Sequence, residues 1–285
     1  MRPSVGLYFI LPAIIVLLAL IAYPIVYTVI LSAMDKHGHF TDRNYLNVLR
    51  LPATKQAFLN LVYYVVVSIF FQLVIGTLVA ILLNQKFPGR GIVRSVTLIP
   101  WVVPGIVAAT TWAWMFHTDF GIINYMLVEA HIVPKPVGWL TNSHTVLPTL
   151  TAINVWKGFP FVTVMVLAGL QAIPADLYEA AKMDGANFWE EQWHITLPQV
   201  RPVLVAVTLL LLIWGINGIT LIYAITRGGP ANLSLITPIQ IYQLAFENFQ
   251  FNEAAALSVL LFIVAAIIVA IYLKVIPSNR EADAR

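Results

Sequence analysis

The chain has 285 residues, of which 60% are hydrophobic and 10% are charged, and its formal net charge is +3. A water-facing surface usually carries about a quarter of its residues as charged side chains, so this composition excludes an ordinary water-soluble domain. The absence of cysteine excludes a disulfide framework and thiolate metal sites, and the small, scattered positive charge does not favour nucleic acid as a partner.

Long apolar segments follow one another along the whole chain. A helix needs about 20 apolar residues to cross about 30 Å of hydrocarbon, and in lipid its backbone groups must bond to one another. Six segments meet this requirement, so we predict an all-α, polytopic membrane protein with six transmembrane helices in a single domain, 1–285. The predicted spans cover about residues 5–33, 58–83, 95–116, 145–170, 203–226 and 254–273.

Prolines predict kinks in two of these spans, and the first span has the position of a signal peptide. Pro100 and Pro104 predict a kink in the third span, and Pro148 and Pro160 predict one in the fourth. The first apolar run is too long for a signal peptide and lacks a small-x-small exit site followed by a polar domain. We therefore expect it to be retained as a span.

The distribution of lysine and arginine predicts the orientation in the membrane. An even number of spans places both termini on one side, and cytoplasmic loops carry an excess of these cations. The larger set comprises Arg2, Lys86, Arg90, Arg94, Lys182, Arg201, Lys274, Arg280 and Arg285, and the smaller set comprises Lys36, Arg43, Arg50, Lys55, Lys135 and Arg227. We expect both termini and the loop at 171–201 to be cytoplasmic.

The loop at 171–201 carries signals for helix ends. Pro174 suits a first helical position, where its missing N–H costs nothing. Gly185 suits the left-handed position just past a helix end, and Asn187 with Glu190 matches a capping box that starts a new helix. The pattern predicts two short helices joined by a tight glycine turn, with prolines setting the start of the fifth span. These signals alone also suit an amphipathic loop lying on the lipid headgroups.

The spacing of residues in this loop resembles a known signature. The pattern EAA-x3-G-x9-I-x-LP is similar to that of binding-protein-dependent ABC importer permeases, and it lies two spans before the C-terminus, as in that family. The matching positions are Glu179, Ala180, Ala181, Gly185, Ile195, Leu197 and Pro198.

The resemblance covers nearly the whole chain. The first span, LPAIIVLLALIAYPIVYTVILS, is similar to the opening helix of sugar-transporter permeases. The turn TRGGPANLS is similar to that of the maltose- and glycerol-phosphate-type first permease. Asn252 stands where that family's pattern leads us to expect glycine, and the chain resembles the minimal six-span form.

The resemblance implies partners and roles. It implies a coupling helix in the loop that sits in a cleft of a cytoplasmic ATPase. There, Glu179 and Asp184 would accept hydrogen bonds, and Ala180 and Ala181 would allow close approach. It also implies a second permease in a heterodimer, two ATPase subunits and an extracytoplasmic solute-binding protein. The resemblance further implies a multi-pass protein of a prokaryotic plasma or inner membrane.

The energy source must lie outside this chain if the resemblance holds. The sequence has no G-x-x-x-x-G-K-[ST] phosphate loop, so we expect no catalytic residue, and ATP and Mg on the partner ATPases rather than a cofactor bound here. An ion-coupled secondary transporter is the remoter alternative, because no Asp, Glu or His lies near the middle of any predicted span. The histidines lie outside the bilayer, so no metal site and no membrane enzyme is predicted.

Polar residues inside the spans suggest a substrate pathway. Lys157 is the one charge within a predicted span, and Asn154 lies three residues earlier on the same helical face. Trp214 and Asn217 share a face of the fifth span, and Tyr223 follows. Aromatic faces with amide partners suit a sugar or related carbohydrate. A permease for glycerol phosphate or another small solute is the alternative, although glycerol phosphate would need more cationic character than one lysine. Lys157 can instead snorkel or bond to carbonyls freed by Pro160, asparagine can bridge helices, and a purely structural subunit is also an alternative.

Overall fold

The computed structural model describes the backbone of residues 3–275 and the side chains of 10–274, and its regular structure is helical. The α-helices are α1 (Pro3–Leu17), α2 (Tyr23–Ser32), α3 (Arg43–Arg50), α4 (Pro52–Asn84), α5 (Arg90–Val102), α6 (Gly105–Met115), α7 (Ile122–Glu129), α8 (Val146–Gln171), α9 (Ala175–Met183), α10 (Phe188–Glu191), α11 (Leu197–Asn217), α12 (Thr220–Thr226), α13 (Thr237–Tyr242) and α14 (Phe251–Val275). In the same described part, π-helical segments occupy Leu18–Ala22, Gln192–Thr196 and Gln243–Glu247.

The helices confirm an all-α polytopic membrane protein. Within the described residues, 5 helical stretches are long and apolar enough to cross a membrane, and there are 6 if one bent pair of helices counts as a span. The unbent stretches are Ile10–Ser32, Pro52–Asn84, Val146–Gln171, Phe188–Thr226 and Phe251–Lys274.

The third span is the bent pair, and it is broken rather than kinked. Helices α5 and α6 meet at an angle of 94°. Pro104 has no N–H to donate, and its ring disfavours helical geometry in the residue before it, so Val103 is extended with ψ 128°. Pro100 lies inside α5, and α8 continues through Pro160. The sequence predicted a kink from Pro100 and Pro104 in the span at 95–116, and the structure has a sharper bend than a kink, at Val103–Pro104.

The chain divides into two compact units, the first formed by residues up to 58 and by 236–268. Its core comprises Val48, Leu244, Ala245, Ala254, Ala256 and Leu257. The side chain of Asn252 donates to the carbonyl oxygens of Met34 at 2.8 Å and Leu31 at 3.3 Å. An amide therefore stabilises the end of α2 at the position where the family pattern suggested glycine. The first span, Ile10–Ser32, has essentially no buried residues within this chain.

In the described part of the chain, the second unit consists of residues 59–235 and 269–275. Helices α4, α8 and α11 share its core, which comprises Ala80, Leu83, Val162, Val166, Leu167, Leu170, Val200, Val207 and Leu211. Lipid tails are as apolar as these side chains, so close packing and hydrogen bonds, rather than transfer from water, hold such helices together. This packing positions the EAA loop and a cavity, both of which lie in this unit.

Candidate functional site

The EAA loop (residues 171–201) begins with α9, a nine-residue helix that buries none of its residues. Pro174 precedes the helix as its N-cap rather than its first residue, with ψ 133°. Asp176 lies in the first turn and Lys182 in the last, where each charge complements the helix dipole. The charges at both ends therefore favour the helical conformation of α9, while its side chains are accessible.

The glycine turn after α9 has the geometry of a Schellman cap. Gly185 adopts φ +85°, its N–H donates to the carbonyl of Lys182 at 3.1 Å, and the N–H of Ala186 donates to that of Ala181 at 2.9 Å. These bonds satisfy carbonyls that the helix end leaves free, and the left-handed position favours glycine. The predicted role of Gly185 in the turn is confirmed.

Asn187 starts the next helix with a full capping box. Its side-chain oxygen accepts from the N–H groups of Trp189 at 3.0 Å and Glu190 at 3.1 Å, and the Glu190 carboxylate accepts from the Asn187 N–H at 2.8 Å. The helix then runs without a break through the π-helical segment into α11. The prediction of a separate second short helix is therefore wrong, because Pro198, in the first turn of α11, continues the helix.

The signature residues form two groups in the structure. Glu179, Ala180, Asp184 and Gly185 are exposed and Ala181 is half-buried, all at α9 and its turn. Ile195 and Leu197 are half-buried and Pro198 is exposed at the junction with α11. In the part of the chain that the structure describes, neither Glu179 nor Asp184 forms an ion pair. Two carboxylates are therefore available to an external cationic group.

A cavity of about 190 Å³ lies among α4, α5, α8 and α11. It is lined by Tyr64, Val65, Ser68, Ile69, Gln72, Trp101, Asn154, Lys157, Gly158, Phe161, Leu211, Trp214, Gly215 and Gly218. Among the predicted pathway residues, it brings together Asn154, Lys157 and Trp214. Helical spacing predicted that Asn154 and Lys157 share a face of α8. Their proximity to Trp214 depends on the packing of α8 against α11.

Lys157 forms a hydrogen bond to the backbone at the break between α5 and α6. Its ammonium donates to the carbonyl oxygen of Val103 at 2.7 Å, at the point where α5 and α6 separate. A carbonyl at such a break lacks an intrahelical partner, and the charged donor supplies one. The freed carbonyl belongs to the break before Pro104, whereas the sequence suggested one freed by Pro160.

A second polar contact crosses the cavity wall. The amide of Gln72 donates to the carbonyl oxygen of Asn154 at 2.9 Å. A Cβ at position 158 would collide with that amide, so Gly158 permits the close approach of α4 to α8. Ser68, which is 2% exposed, has a hydroxyl without a hydrogen-bond partner in the structure and also lines the cavity.

Aromatic rings form another side of the cavity. The centroid of the Phe161 ring lies 4.8 Å from that of the Trp214 ring and 5.9 Å from that of the Trp101 ring. Both tryptophans are about half exposed, so their faces are accessible. Rings together with amide, hydroxyl and ammonium groups can hold a polyhydroxylated solute, which needs both apolar faces and hydrogen-bond partners.

Two predicted pathway residues do not line this cavity. Helix α11 ends at Asn217, whose amide donates to the carbonyl of Ile213 in its own helix at 2.7 Å. The chain is extended at Gly218 before α12 begins, so Tyr223 lies on a different helix. There its ring faces the guanidinium of Arg227 at 5.9 Å.

Sequence reasoning missed Ser68, Gln72, Trp101 and Phe161. Gln72 had a detectable signal, because an amide in the middle of an apolar span usually marks a hydrogen bond between helices. Ser68 lies one helical turn before it on the same face. Trp101 had no comparable signal, since its place at the cavity depends on the break in the third span.

Comparison with known protein families gives one match over most of the chain. Residues 72–278 match the model of the family described as "Binding-protein-dependent transport system inner membrane component". That stretch contains the EAA loop and most of the residues that line the cavity.

Individual proteins resemble the chain over nearly its full length. It is 34% identical over 279 residues to the trehalose/maltose transport system permease protein MalF of Thermococcus litoralis, covering 95% of this chain and 93% of that protein. It is 30% identical to the maltodextrin transport system permease protein MdxF of Bacillus subtilis, covering 91% and 66%. A bacterial alginate ABC transporter, in complex with an alginate pentasaccharide-bound periplasmic protein, has a chain with TM-score 0.87 and 22% identity that covers 99% and 96%.

Proposed function

The chain belongs to the family of inner membrane components of binding-protein-dependent transport systems, and we propose that it is the permease subunit of an ATP-driven importer for a sugar or related carbohydrate. The observation that carries the proposal is α9, a helix that buries none of its residues. With its C-cap it presents the carboxylates of Glu179 and Asp184, neither of which forms an ion pair with any residue that the structure describes. A helix of nine residues has only marginal stability alone in water, so contact with a partner protein stabilises it.

The partner at α9 is a cytoplasmic ATPase. Ala180 and Ala181 allow its surface to approach closely, while Glu179 and Asp184 attract its basic groups. The chain has no phosphate loop of its own, so ATP and Mg bind the ATPase pair, and no cofactor binds this chain directly. This assignment makes the EAA loop cytoplasmic, along with both termini.

A second permease completes the membrane assembly. The first span is apolar and essentially unburied within this chain, which leaves its surface available to a neighbouring subunit or to lipid. A solute-binding protein delivers the solute from outside, as the family description implies. The assembly lies in a prokaryotic plasma or inner membrane.

The cavity is the proposed pathway for the solute. Asn154 and the tryptophans at 101 and 214 offer amide and ring contacts of the kind that sugars use. Lys157 is the one cation in the lining, and its ammonium already donates to Val103. That arrangement favours an uncharged carbohydrate over glycerol phosphate, whose phosphate would need several cations. The names of the two similar permeases, for trehalose/maltose and maltodextrin, support the same class.

Reversal of one charge tests the coupling assignment. We expect Glu179→Lys to abolish uptake by the reconstituted complex while membrane insertion and thermal unfolding stay unchanged, because Glu179 forms no ion pair with any residue in the described part of the chain. Glu129→Lys, an equal reversal at an exposed position on α7, is the control and should retain uptake. Unchanged uptake in Glu179→Lys would remove the ATPase from this surface.

Proteoliposomes that contain the complex and its binding protein test the cargo and the energy source. We expect uptake of radiolabelled maltose or trehalose with ATP inside, and little uptake of glycerol 3-phosphate. Collapse of the sodium and proton gradients should leave uptake intact. Uptake that follows an ion gradient without ATP would instead establish a secondary transporter.

A further inference from the structure

One hydrogen bond joins α9 to the helix that continues as α11. The hydroxyl of Tyr178 lies 3.0 Å from that of Thr196. Thr196 is the last residue of the π-helical segment and is 2% exposed, whereas Tyr178 is half-buried. The bond therefore connects the side of the exposed helix to the point where the fifth span begins.

Side-chain contacts between α9 and other helices are sparse in the described part of the chain. Within residues 10–274, Tyr178 is the one side chain of α9 that forms a hydrogen bond or ion pair with another helix. The helix also has no buried residue, so packing holds it weakly. Movement of α9 therefore reaches α11 either along the backbone, through the turn at Gly185, or through this bond.

The π-helical segment suits a movable joint. Its extra residue per turn weakens the regular hydrogen-bond ladder, and such segments are frequent at functional sites. The Thr196 hydroxyl also lies 3.3 Å from the carbonyl of Glu191, five residues earlier. Beside it lies a polar cavity of about 190 Å³, where the Gln192 side-chain oxygen is buried without a hydrogen-bond partner. Space and an unsatisfied acceptor at this position leave room for a second arrangement.

We propose that Tyr178 and Thr196 are positioning residues that transmit movement of α9 to the fifth span through their shared hydrogen bond. The inference rests on the proposed function, because it requires an ATPase that moves α9. The inference assigns a mechanical role to two residues that the EAA signature does not specify. Tyr178 supplies the hydroxyl on the moving helix, and Thr196 supplies the hydroxyl on the span.

Spin labels can measure the transmission directly, since the chain has no cysteine and two can be introduced without background. Asp176→Cys on α9 and Gln199→Cys on α11 are both at exposed positions. Pulsed electron resonance on the purified complex, with and without ATP and vanadate, gives the distance distribution between the labels. We expect a narrow distribution in the parent protein that ATP displaces as a single population.

Tyr178→Phe and Thr196→Val each remove one hydroxyl at nearly constant volume. We expect either to broaden the distribution about twofold without ATP, and the double variant to add nothing to the effect of Thr196→Val, because that substitution already deletes the bond to Tyr178. Thr196→Ser keeps the hydroxyl and should restore the narrow distribution. Thr208→Val is the matched control, since its hydroxyl bonds only to Leu204 in its own helix at 2.7 Å.

The outcomes separate the two proposals. If ATP leaves the distance unchanged in the parent complex, the proposed ATPase coupling fails. If ATP shifts the label distance identically in the parent and in both hydroxyl-deletion variants, the proposed ATPase coupling stands. The proposed role of the bond between Tyr178 and Thr196 is then overturned. Should Tyr178→Phe not assemble, the comparison of Thr196→Val with Thr196→Ser decides the question alone.

Discussion

The EAA loop and the cavity hold their geometry by contacts of different range. In the loop, the bonds around Gly185 and Asn187 join residues at most five positions apart. In the cavity, the bond of Lys157 joins residues 54 positions apart, and that of Gln72 joins residues 82 apart. A local pattern therefore specifies the loop, whereas only helix packing assembles the cavity.

This difference predicts opposite effects of substitution. The loop buries little, so its variants should change coupling while the stability of the membrane domain stays constant. The cavity is lined by helices that share the main core, so its variants should change stability as well as transport.

Gly185→Pro should have the largest effect. Proline requires φ near −65°, and Gly185 adopts +85°, so the substitution breaks the cap and redirects the chain after α9. We expect uptake in proteoliposomes to be abolished, with insertion and the unfolding temperature unchanged. Gly38→Pro is the control, because Gly38 has a φ of +84° and open surroundings but lies in a different loop. A large fall in unfolding temperature for Gly185→Pro would show that the loop is not independent of the core.

Lys157→Met should reduce both uptake and stability. It leaves the Val103 carbonyl without its charged donor, and a hydrogen bond to a charged group contributes about 1.5–3 kcal/mol. We expect roughly a tenfold fall in uptake and a lower unfolding temperature in detergent. Lys55→Met, at an exposed position, should change neither. If the unfolding temperature is unaffected, the bond does not hold the broken span.

Gly158→Ala should lower stability by about 1–3 kcal/mol, because the added Cβ displaces the buried Gln72 amide and breaks its hydrogen bond to the Asn154 carbonyl. Thermal unfolding followed by tryptophan fluorescence measures the change. The matched control is Gly91→Ala in α5, where an added Cβ meets no atom within 4 Å. We expect that variant to be neutral or slightly more stable. Equal effects at the two positions would contradict the close approach of α4 and α8.

Asn187→Ala should have the smallest and most local effect. Loss of an N-cap costs about 1 kcal/mol, which corresponds to roughly fivefold faster hydrogen exchange at the capped amides of Trp189 and Glu190. Mass spectrometry of exchange in 187–192 measures it, and the global unfolding temperature should not move. Asn142→Ala, which removes a similar turn contact to His144, should leave exchange in 187–192 unchanged.

Much of the molecule was predictable because its signals are local. Apolar length predicted the helices, and the turn and capping residues predicted the cap at Gly185 and the box at Asn187. Helical spacing also placed Asn154 and Lys157 on one face, which the cavity confirms. The continuity of α10 with α11 was missed because proline in a first helical turn permits a helix to continue as readily as to begin.

The sequence by itself determined that the chain is helical, that it lies in a membrane and that α9 ends in a left-handed glycine turn. Each of these follows from side-chain polarity or backbone freedom within a few residues. Only the tertiary structure decided that Lys157 reaches Val103, that Gln72 meets Asn154, and that Trp214 joins them while Asn217 and Tyr223 do not. Those outcomes depend on the angle at which α5 and α6 meet and on how closely the helices pack, and neither is encoded in the spacing along one helix.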